Sequence, residues 1–549
     1  MPAWCGAGAP EPPELPEDLV EDEDAKSISY LGRAAYEQLR RTHGRTWRSC
    51  WNVTSGSVVG RVHDTLQGGW DSTADPEPGH SDWLPKKMGE IMSRTQHWCD
   101  LASLTPGPPA PTPDDGLWMD CIRSAIKTVN ANAVRRGGDP VIIRMIFGTM
   151  GPPVNVSATI KDLVSGIDES DGCNIQLWVG TWRHRLSWNH AKIIAVDGKY
   201  LHQGGHNLWD GDYLRRNPLH DISMEAYGQC THDAHLFMNE HWDFIRKTQS
   251  SFVGWVVDKL HDGIPLPLQS QVAVSEFPED GKTETFPPAY AKERVPLEYE
   301  TGQGCVPMIT LGRYGSIVNN SQAADDAFLA MMGAAKHAMR FVIQDIGPPT
   351  PPGLQRVTVF PWPAAYLEAI GRAILRGVRV EMVLSNPGSI PGDLGWSDRS
   401  YGFGWTCADV AAEIIKTIKD QLEDDQLRKT IQEHLHLCYI RRGRKNTYSD
   451  GANIGLHSKF FILDDTCYYL GSQNLYQSNL AEWGILVDDA AQTTRVMNEY
   501  WHPIWSNSYQ EGQDCDADEV LEGLLENRGF KGSICTGYSD MLEALQRAA

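Results

Sequence analysis

The sequence predicts an α/β protein: two similar α/β/α sandwich halves, packed pseudo-symmetrically around one shared site at their interface. Three observations lead there. His190-Ala-Lys192-Ile-Ile-Ala-Val-Asp197 recurs later as His457-Ser-Lys459-Phe-Phe-Ile-Leu-Asp464, and each copy is followed at the same offset by small residues and an asparagine, Gly204-Gly205-His-Asn207 and Gly471-Ser472-Gln-Asn474. Each half also holds a helical pattern that stops at glycine and leads into an apolar, β-branched run. At 549 residues, finally, the chain is too long for one ordinary core.

Taken in order, residues 1–28 crowd Glu11, Glu14, Glu17, Asp18, Glu21, Asp22, Glu23 and Asp24 between prolines and read as a disordered acidic tail. The first half spans 29–272. In it Trp98–Leu104 reads as a strand, Leu117–Arg136 as a helix ended by Gly137-Gly138, and Val141–Phe147 as a buried strand. The polar, proline-bearing stretch Phe277–Pro288 places a linker or long loop over 273–300. The second half, 301–549, repeats the series with a strand at Arg340–Asp345, a helix at Tyr366–Arg376 stopped by Gly377, and a strand at Val378–Leu384. Helices alternating with short buried strands imply a layered α/β sheet in each half, with the two motifs meeting at the seam.

The bulk properties exclude several classes. A formal charge of −22 argues against broad nucleic-acid binding and against adsorption to strongly anionic membranes. No stretch approaches the ~20 apolar residues of a membrane span. Met1-Pro-Ala-Trp-Cys-Gly-Ala-Gly lacks the basic and apolar regions of a signal peptide, which leaves the compartment open. The twelve cysteines show no CxxC pairs, so disulfides and buried free thiols both stand. Asn52-Val-Thr54, Asn155-Val-Ser157 and Asn319-Asn-Ser321 fit a glycosylation pattern that is common by chance.

Residues i and i+2 of a strand share a face, so His190 projects with Lys192 and His457 with Lys459. An imidazole beside an ammonium suits a phosphate ester. Lysine neutralises the non-bridging oxygens, while histidine attacks phosphorus or protonates the leaving oxygen. Asn207 and Asn474 add amide donors, and the small residues Gly205 and Ser472 are expected to let the backbone approach the phosphate. Two such half-sites need neither metal nor cofactor to hold charge on a pentacoordinate phosphorus. A lone histidine at a strand is more often structural; duplication at matched offsets reverses that. Asp197 and Asp464, the last members of the candidate catalytic set, lie seven residues beyond each histidine and read as supports that bind turn backbone or a basic neighbour.

With these residues in view, the chain resembles the phospholipase D superfamily, whose two HxKxxxxD motifs build one active site. It is most similar to the compact secreted bacterial enzymes of that family. The likeness is carried by Ser187-Trp-Asn-His190-Ala-Lys192, Gly204-Gly205-His-Asn207-Leu-Trp209, Asp212-Tyr-Leu and Gly471-Ser472-Gln-Asn474-Leu-Tyr476, with a weaker echo at Trp51–Gly56. The resemblance implies His190 as nucleophile and His457 as general acid, then base. It also implies a carboxylate orienting each histidine, at Asp221 and at Glu482, where those enzymes tend to carry Asp. From the residues alone, a surface loop is the better account of these two acids.

The resemblance further implies a phospholipid substrate at a membrane or micelle surface, a monomer, and a secreted location, although no signal is visible. Mouth loops such as Gly395–Trp405 are not recognisable; their aromatics either dip into headgroups or pack on the core. Two other readings stand beside the lipase. One is a nuclease or other phosphodiesterase on the same scaffold, disfavoured by the acidic balance. The other is a non-catalytic lipid binder, disfavoured by two complete motifs.

Overall fold

A computed structural model describes residues 23–44, 50–77, 79–106, 116–148, 154–184, 187–250, 269–275, 284–292, 304–315, 322–347, 363–391, 401–402, 404–475 and 480–526. Tail residues Glu11 to Asp22, the linker stretch Phe277 to Thr283, Asn319 to Ser321, Gly395 to Ser400 and Tyr476 lie outside the described residues.

The first half supplies β1 (Trp51–Asp64), β2 (Trp98–Ser103), β3 (Val141–Gly148), β4 (Ile175–His184), β5 (Ser187–Trp188), β6 (Ile193–Val196), β7 (Tyr200–Gly204), β8 (Ile222–Gly228) and β9 (Gln269–Val274). The second supplies β10 (Val306–Tyr314), β11 (Ala338–Ile343), β12 (Arg379–Leu384), β13 (Leu435–Tyr439), β14 (Lys459–Leu463), β15 (Cys467–Gly471) and β16 (Ala481–Val487). Their order in space is β13-β12-β11-β14-β15-β16-β10-β1-β8-β7-β6-β2-β3-β4-β5, with β9 also on β4. Outward from the centre, β1-β8-β7-β6-β2-β3-β4 mirrors β10-β16-β15-β14-β11-β12-β13 strand for strand. The three outer strands of each series run parallel, and the remaining pairs run antiparallel. The halves therefore join edge to edge, through the antiparallel register Trp51↔Leu311 to Thr54↔Met308. Sequence reading had the halves packed together and said nothing of this shared sheet.

Local sequence explains the elements that position the site. β3 is an apolar run buried along nearly its whole length, as expected of a parallel strand covered on both faces. The Leu117–Arg136 helix ends where Gly137 takes φ +67°, and the Ala365–Leu375 helix ends just before Gly377 at φ +84°. Each motif strand turns through a tight three-residue hairpin loop that holds two left-handed residues: Asp197 and Gly198 (φ +54° and +69°), then Asp464 and Asp465 (φ +50° and +54°).

The described parts of the expected tail and linker pack on the fold. Residues 23–27 form a 3₁₀ turn with Ala25 buried, and Ser29 caps the Tyr30–His43 helix while its side chain donates to Asp488 at 2.6 Å. In the linker, Tyr290 exchanges hydrogen bonds of 2.8 Å with Asn239, and the Pro288 carbonyl accepts from Arg144 at 3.1 Å. Apolar Ala25 and the Tyr290 ring fill space against the sheet, which a charge count along the chain does not register.

Candidate active site

The two motifs meet where β6 and β14 begin. His190 lies just ahead of β6, and its backbone N–H donates to the carbonyl of Ala481, at the start of β16, at 2.8 Å. His457 lies just ahead of β14 and donates in the same way to the His220 carbonyl, just ahead of β8, at 2.8 Å. Each histidine is thus fastened to the opposite half. The ring centroids stand 6.5 Å apart at 78°.

The carboxylates cross over in the same manner. Glu482 of the second half meets His190 Nδ1 through both oxygens, at 3.0 and 2.9 Å. Asp221 of the first half meets His457 Nδ1 at 2.7 Å. With Nδ1 engaged, a neutral imidazole keeps its lone pair on Nε2. Burial pulls the His190 imidazole down to about 4, against Glu482, with Lys192 adding to the fall. His457 is pulled well below its ordinary value by burial and by Lys459, against Asp221. Both carboxyls stay low: burial, which pushes them up, is outweighed by the histidines and neighbouring cations.

Lys192 and Lys459 are buried, and each ammonium donates to the carbonyl of its own motif histidine, Lys192 at 2.7 Å. Burial pulls Lys459 down to about 8 and Lys192 well below its usual value. The Asn207 side chain is fully buried, and neither amide atom has a hydrogen-bond partner. Such an amide costs free energy unless a ligand satisfies it. Asn474 is buried beside Leu475, which pairs with Ile346.

Asp197 and Asp464 bind backbone, the supporting role read from the sequence, whereas Gly205 and Ser472 do something other than admit phosphate. The Asp197 carboxylate accepts the backbone N–H groups of Gln96, His97 and Trp98 at 2.7–2.8 Å. Asp464 accepts those of Lys336, His337 and Ala338 at 2.7–2.8 Å, with the Tyr30 hydroxyl added. Both hold the entries to β2 and β11, at the far end of the motif strands from the histidines, so they leave the catalytic set. Gly205 does not open a path for phosphate: a Cβ there would stand 2.0 Å from Asp221 Oδ1, so glycine makes room for that carboxylate. Ser472 occupies the equivalent place, and its hydroxyl donates to Glu482 at 2.5 Å.

Other residues of the site escaped sequence reading. The Tyr213 hydroxyl lies 3.0 Å from both Asp221 Oδ2 and His457 Nδ1. Tyr401 packs its ring 5.2 Å from that of His457 and donates to Asp212 at 2.7 Å, so of the two readings of the mouth aromatics, packing inward applies to this one. Arg313 brings Nη2 to 3.7 Å from Glu482. Leu104, Trp188, Trp209 and Leu480 form a small apolar cluster next to His190. The ten described cysteines are all free. Among the described residues, no helix is long and apolar enough to cross a membrane.

This geometry can be set beside known proteins. A phospholipase D from Streptomyces antibioticus is 23% identical over 534 residues, covering 90% of each chain. The chain resembles the phospholipase D superfamily along nearly its whole length. No family model matches it. Among solved structures, a phosphatidylserine synthase from Haemophilus influenzae Rd KW20 covers 92% of this chain and 98% of its own, at 12% identity and TM-score 0.43. A polyphosphate kinase from Porphyromonas gingivalis covers 85% and 55%, at 9% identity and TM-score 0.37.

Proposed function

We infer that the protein is a phosphodiesterase of the phospholipase D type, which hydrolyses the distal phosphodiester of glycerophospholipids such as phosphatidylcholine to phosphatidic acid and a free headgroup. The observation that carries this reading is the reciprocal pair of buried His–carboxylate couples, one from each motif, with the two rings 6.5 Å apart and a lysine beside each.

In the proposed reaction, Lys192, Lys459, Asn207 and Asn474 bind the non-bridging phosphate oxygens. Neutral His190 attacks phosphorus through Nε2, and the headgroup oxygen leaves with the proton of His457. Water or an alcohol then gives its proton to His457 and attacks the phosphohistidine, which releases His190 and forms phosphatidic acid or the transferred ester. His457 must be protonated in the first step, although burial and Lys459 pull its imidazole towards the neutral form. An anionic phosphodiester seated on both lysines cancels their repulsion and raises the imidazole.

The test is incubation with phosphatidylcholine vesicles and ethanol. Phosphatidic acid and phosphatidylethanol are expected. Cleavage of DNA or bis-p-nitrophenyl phosphate without any lipid product would overturn the lipase reading in favour of another phosphodiesterase.

A further inference from the structure

A second buried carboxylate stands one residue behind Glu482, and the proposed mechanism does not use it. Arg313, buried in β10, faces Glu482 across the β10–β16 register. Its Nη2 stops 3.7 Å from Glu482 Oε1, outside hydrogen-bond reach. Its Nη1 donates instead to both oxygens of Asp325, at 3.2 and 3.3 Å, and Nε donates to the Leu480 carbonyl at 3.2 Å. Asp325 is buried in the first turn of the Ala323–Ala334 helix. Its Oδ1 also accepts from the Tyr366 hydroxyl and, at 2.9 Å, from the Gln473 amide. The guanidinium is thus held by a carboxylate that is itself fixed from two further sides.

The first half fills the equivalent places without charge. The residue facing Asp221 across β1–β8 is Thr65, whose N–H donates to the Asp221 carbonyl at 3.0 Å and whose hydroxyl accepts the Asp221 N–H at 2.9 Å. His206 occupies the motif offset of Gln473 and meets the Ser223 hydroxyl at 2.6 Å, with burial holding its imidazole down to about 4. The Arg313–Asp325 pair is therefore a feature of the His190 side. Opposite charges pull strongly on one another in a buried site. If Asp325 were neutral, the guanidinium would be drawn onto Glu482 and would offset charge that now faces His190. That charge raises the His190 imidazole against burial, and it stabilises a ring that has bonded to phosphorus.

We propose that Asp325 is a positioning residue for the nucleophile: it holds Arg313 back from Glu482 and so keeps the Glu482 charge on His190. The proposal rests on the phospholipase D reading and deepens it. The test is the pH profile of kcat/KM on phosphatidylcholine vesicles, from initial rates after a jump from pH 7, for the wild type, Asp325→Asn, Arg313→Gln and the double variant. The acid limb follows the group that must be neutral to attack, His190. Asp325→Asn is expected to move that limb down by about one pH unit, because Arg313 then offsets Glu482 more fully. Arg313→Gln should move it up by a similar amount, because Glu482 is then left with its whole charge. In the double variant the limb should stay where Arg313→Gln puts it, since Asp325 has no guanidinium left to hold.

A purely structural role for Asp325 predicts lower rates with the limb in place. An unmoved limb, shifts of the same sign in the two single variants, or a double variant in which the two shifts cancel would overturn the proposal. The double variant removes both charges together, so it keeps the comparison if either single variant fails to fold: its limb must still lie above that of the wild type. Phosphatidic acid from the wild type with every limb unmoved overturns this role alone. No phosphatidic acid from the wild type overturns the phospholipase D reading, and this role with it.

Discussion

Behind His190 the carboxylate is a glutamate, shared among the imidazole, the Ser472 hydroxyl and the Arg313 guanidinium. Behind His457 it is an aspartate, shared with the Tyr213 hydroxyl and the backbone N–H of Ile222, and with no arginine on it among the described residues. Strand register makes these positions equivalent, since Gly205 N–H donates to the Ile222 carbonyl as Ser472 N–H does to that of Trp483. The halves thus share a plan and differ in what surrounds the carboxylate. Arg313 already offsets part of the Glu482 charge, whereas on the other side burial and Lys459 outweigh Asp221 and pull His457 well below its ordinary value. In the proposed reaction His190 is the nucleophile, as the resemblance implied, and His457 carries the proton once a bound phosphate offsets Lys459.

The sharpest way to break that division is to remove each imidazole in turn. His190→Ala is expected to lower lipid turnover by at least ~10⁴-fold, because no covalent intermediate can form. His457→Ala should also be slow, yet should retain label from a lipid carrying a radioactive acyl chain after denaturation at neutral pH. Label retained by His190→Ala instead would reverse the roles.

The carboxylates come next. Asp221→Asn is expected to cost ~10³-fold in kcat, comparable to loss of the orienting acid in other His–acid pairs, because Tyr213 cannot replace its charge. Glu482→Gln should cost ~10–100-fold, since Ser472 still fixes the side chain and a neutral His190 needs less charge beside it. Equal losses, or the opposite order, would remove the asymmetry.

Much of this site was legible in the sequence, and the reason is repetition. His190, Lys192 and Asn207 stand out because His457, Lys459 and Asn474 repeat them at matched offsets. The helix at Leu117–Arg136 was equally plain, since its apolar period and its Gly137-Gly138 stop agree. Arg313 repeats nothing in the other half and sits in an ordinary-looking strand, while Tyr401 showed only as one aromatic of a mouth segment with two open readings. Asp221 and Glu482 carry a further difficulty. Each serves the histidine of the other half, and that exchange exists only once β1 and β10 have joined the two sheets. The motif aspartates show the converse: a conspicuous repeat marks shared chemistry at one end of the strand and shared backbone support at the other.

Acid should expose another difference between the halves. Burial holds His190 and His206 down to about 4 and His202, His220 and His241 down to about 3, and all five lie in the first half. Their folded values are depressed, so the unfolded chain takes up protons near pH 6.5 that the native state refuses. Stability from these groups is present above about pH 6.5 and is lost as pH falls towards 4, by up to ~1.4 kcal/mol per pH unit for each. Asp64 and Asp345, raised to about 7, act in the opposite sense, with one in each half. The balance therefore falls on the first half. Hydrogen exchange at pH 5 against pH 7 should show β2–β4 and β6–β8 losing protection by a few kcal/mol before β11–β15 do, and a uniform loss would contradict this.

The smallest expected effect tests the asymmetry at its origin. Ser472→Ala removes the 2.5 Å hydrogen bond to Glu482 and leaves both His190 contacts and Arg313 in place. A hydrogen bond to a charged acceptor is worth ~1.5–3 kcal/mol, but a carboxylate already held on two other sides loses only part of that. A three- to tenfold fall in kcat with KM unchanged is expected, about 1 kcal/mol in the transition state. A fall as large as that of Glu482→Gln would mean that Ser472 alone sets the glutamate, and that Arg313 does not share its charge. The smaller part given to Glu482 than to Asp221 would then lose its physical basis, even with the nucleophile correctly placed.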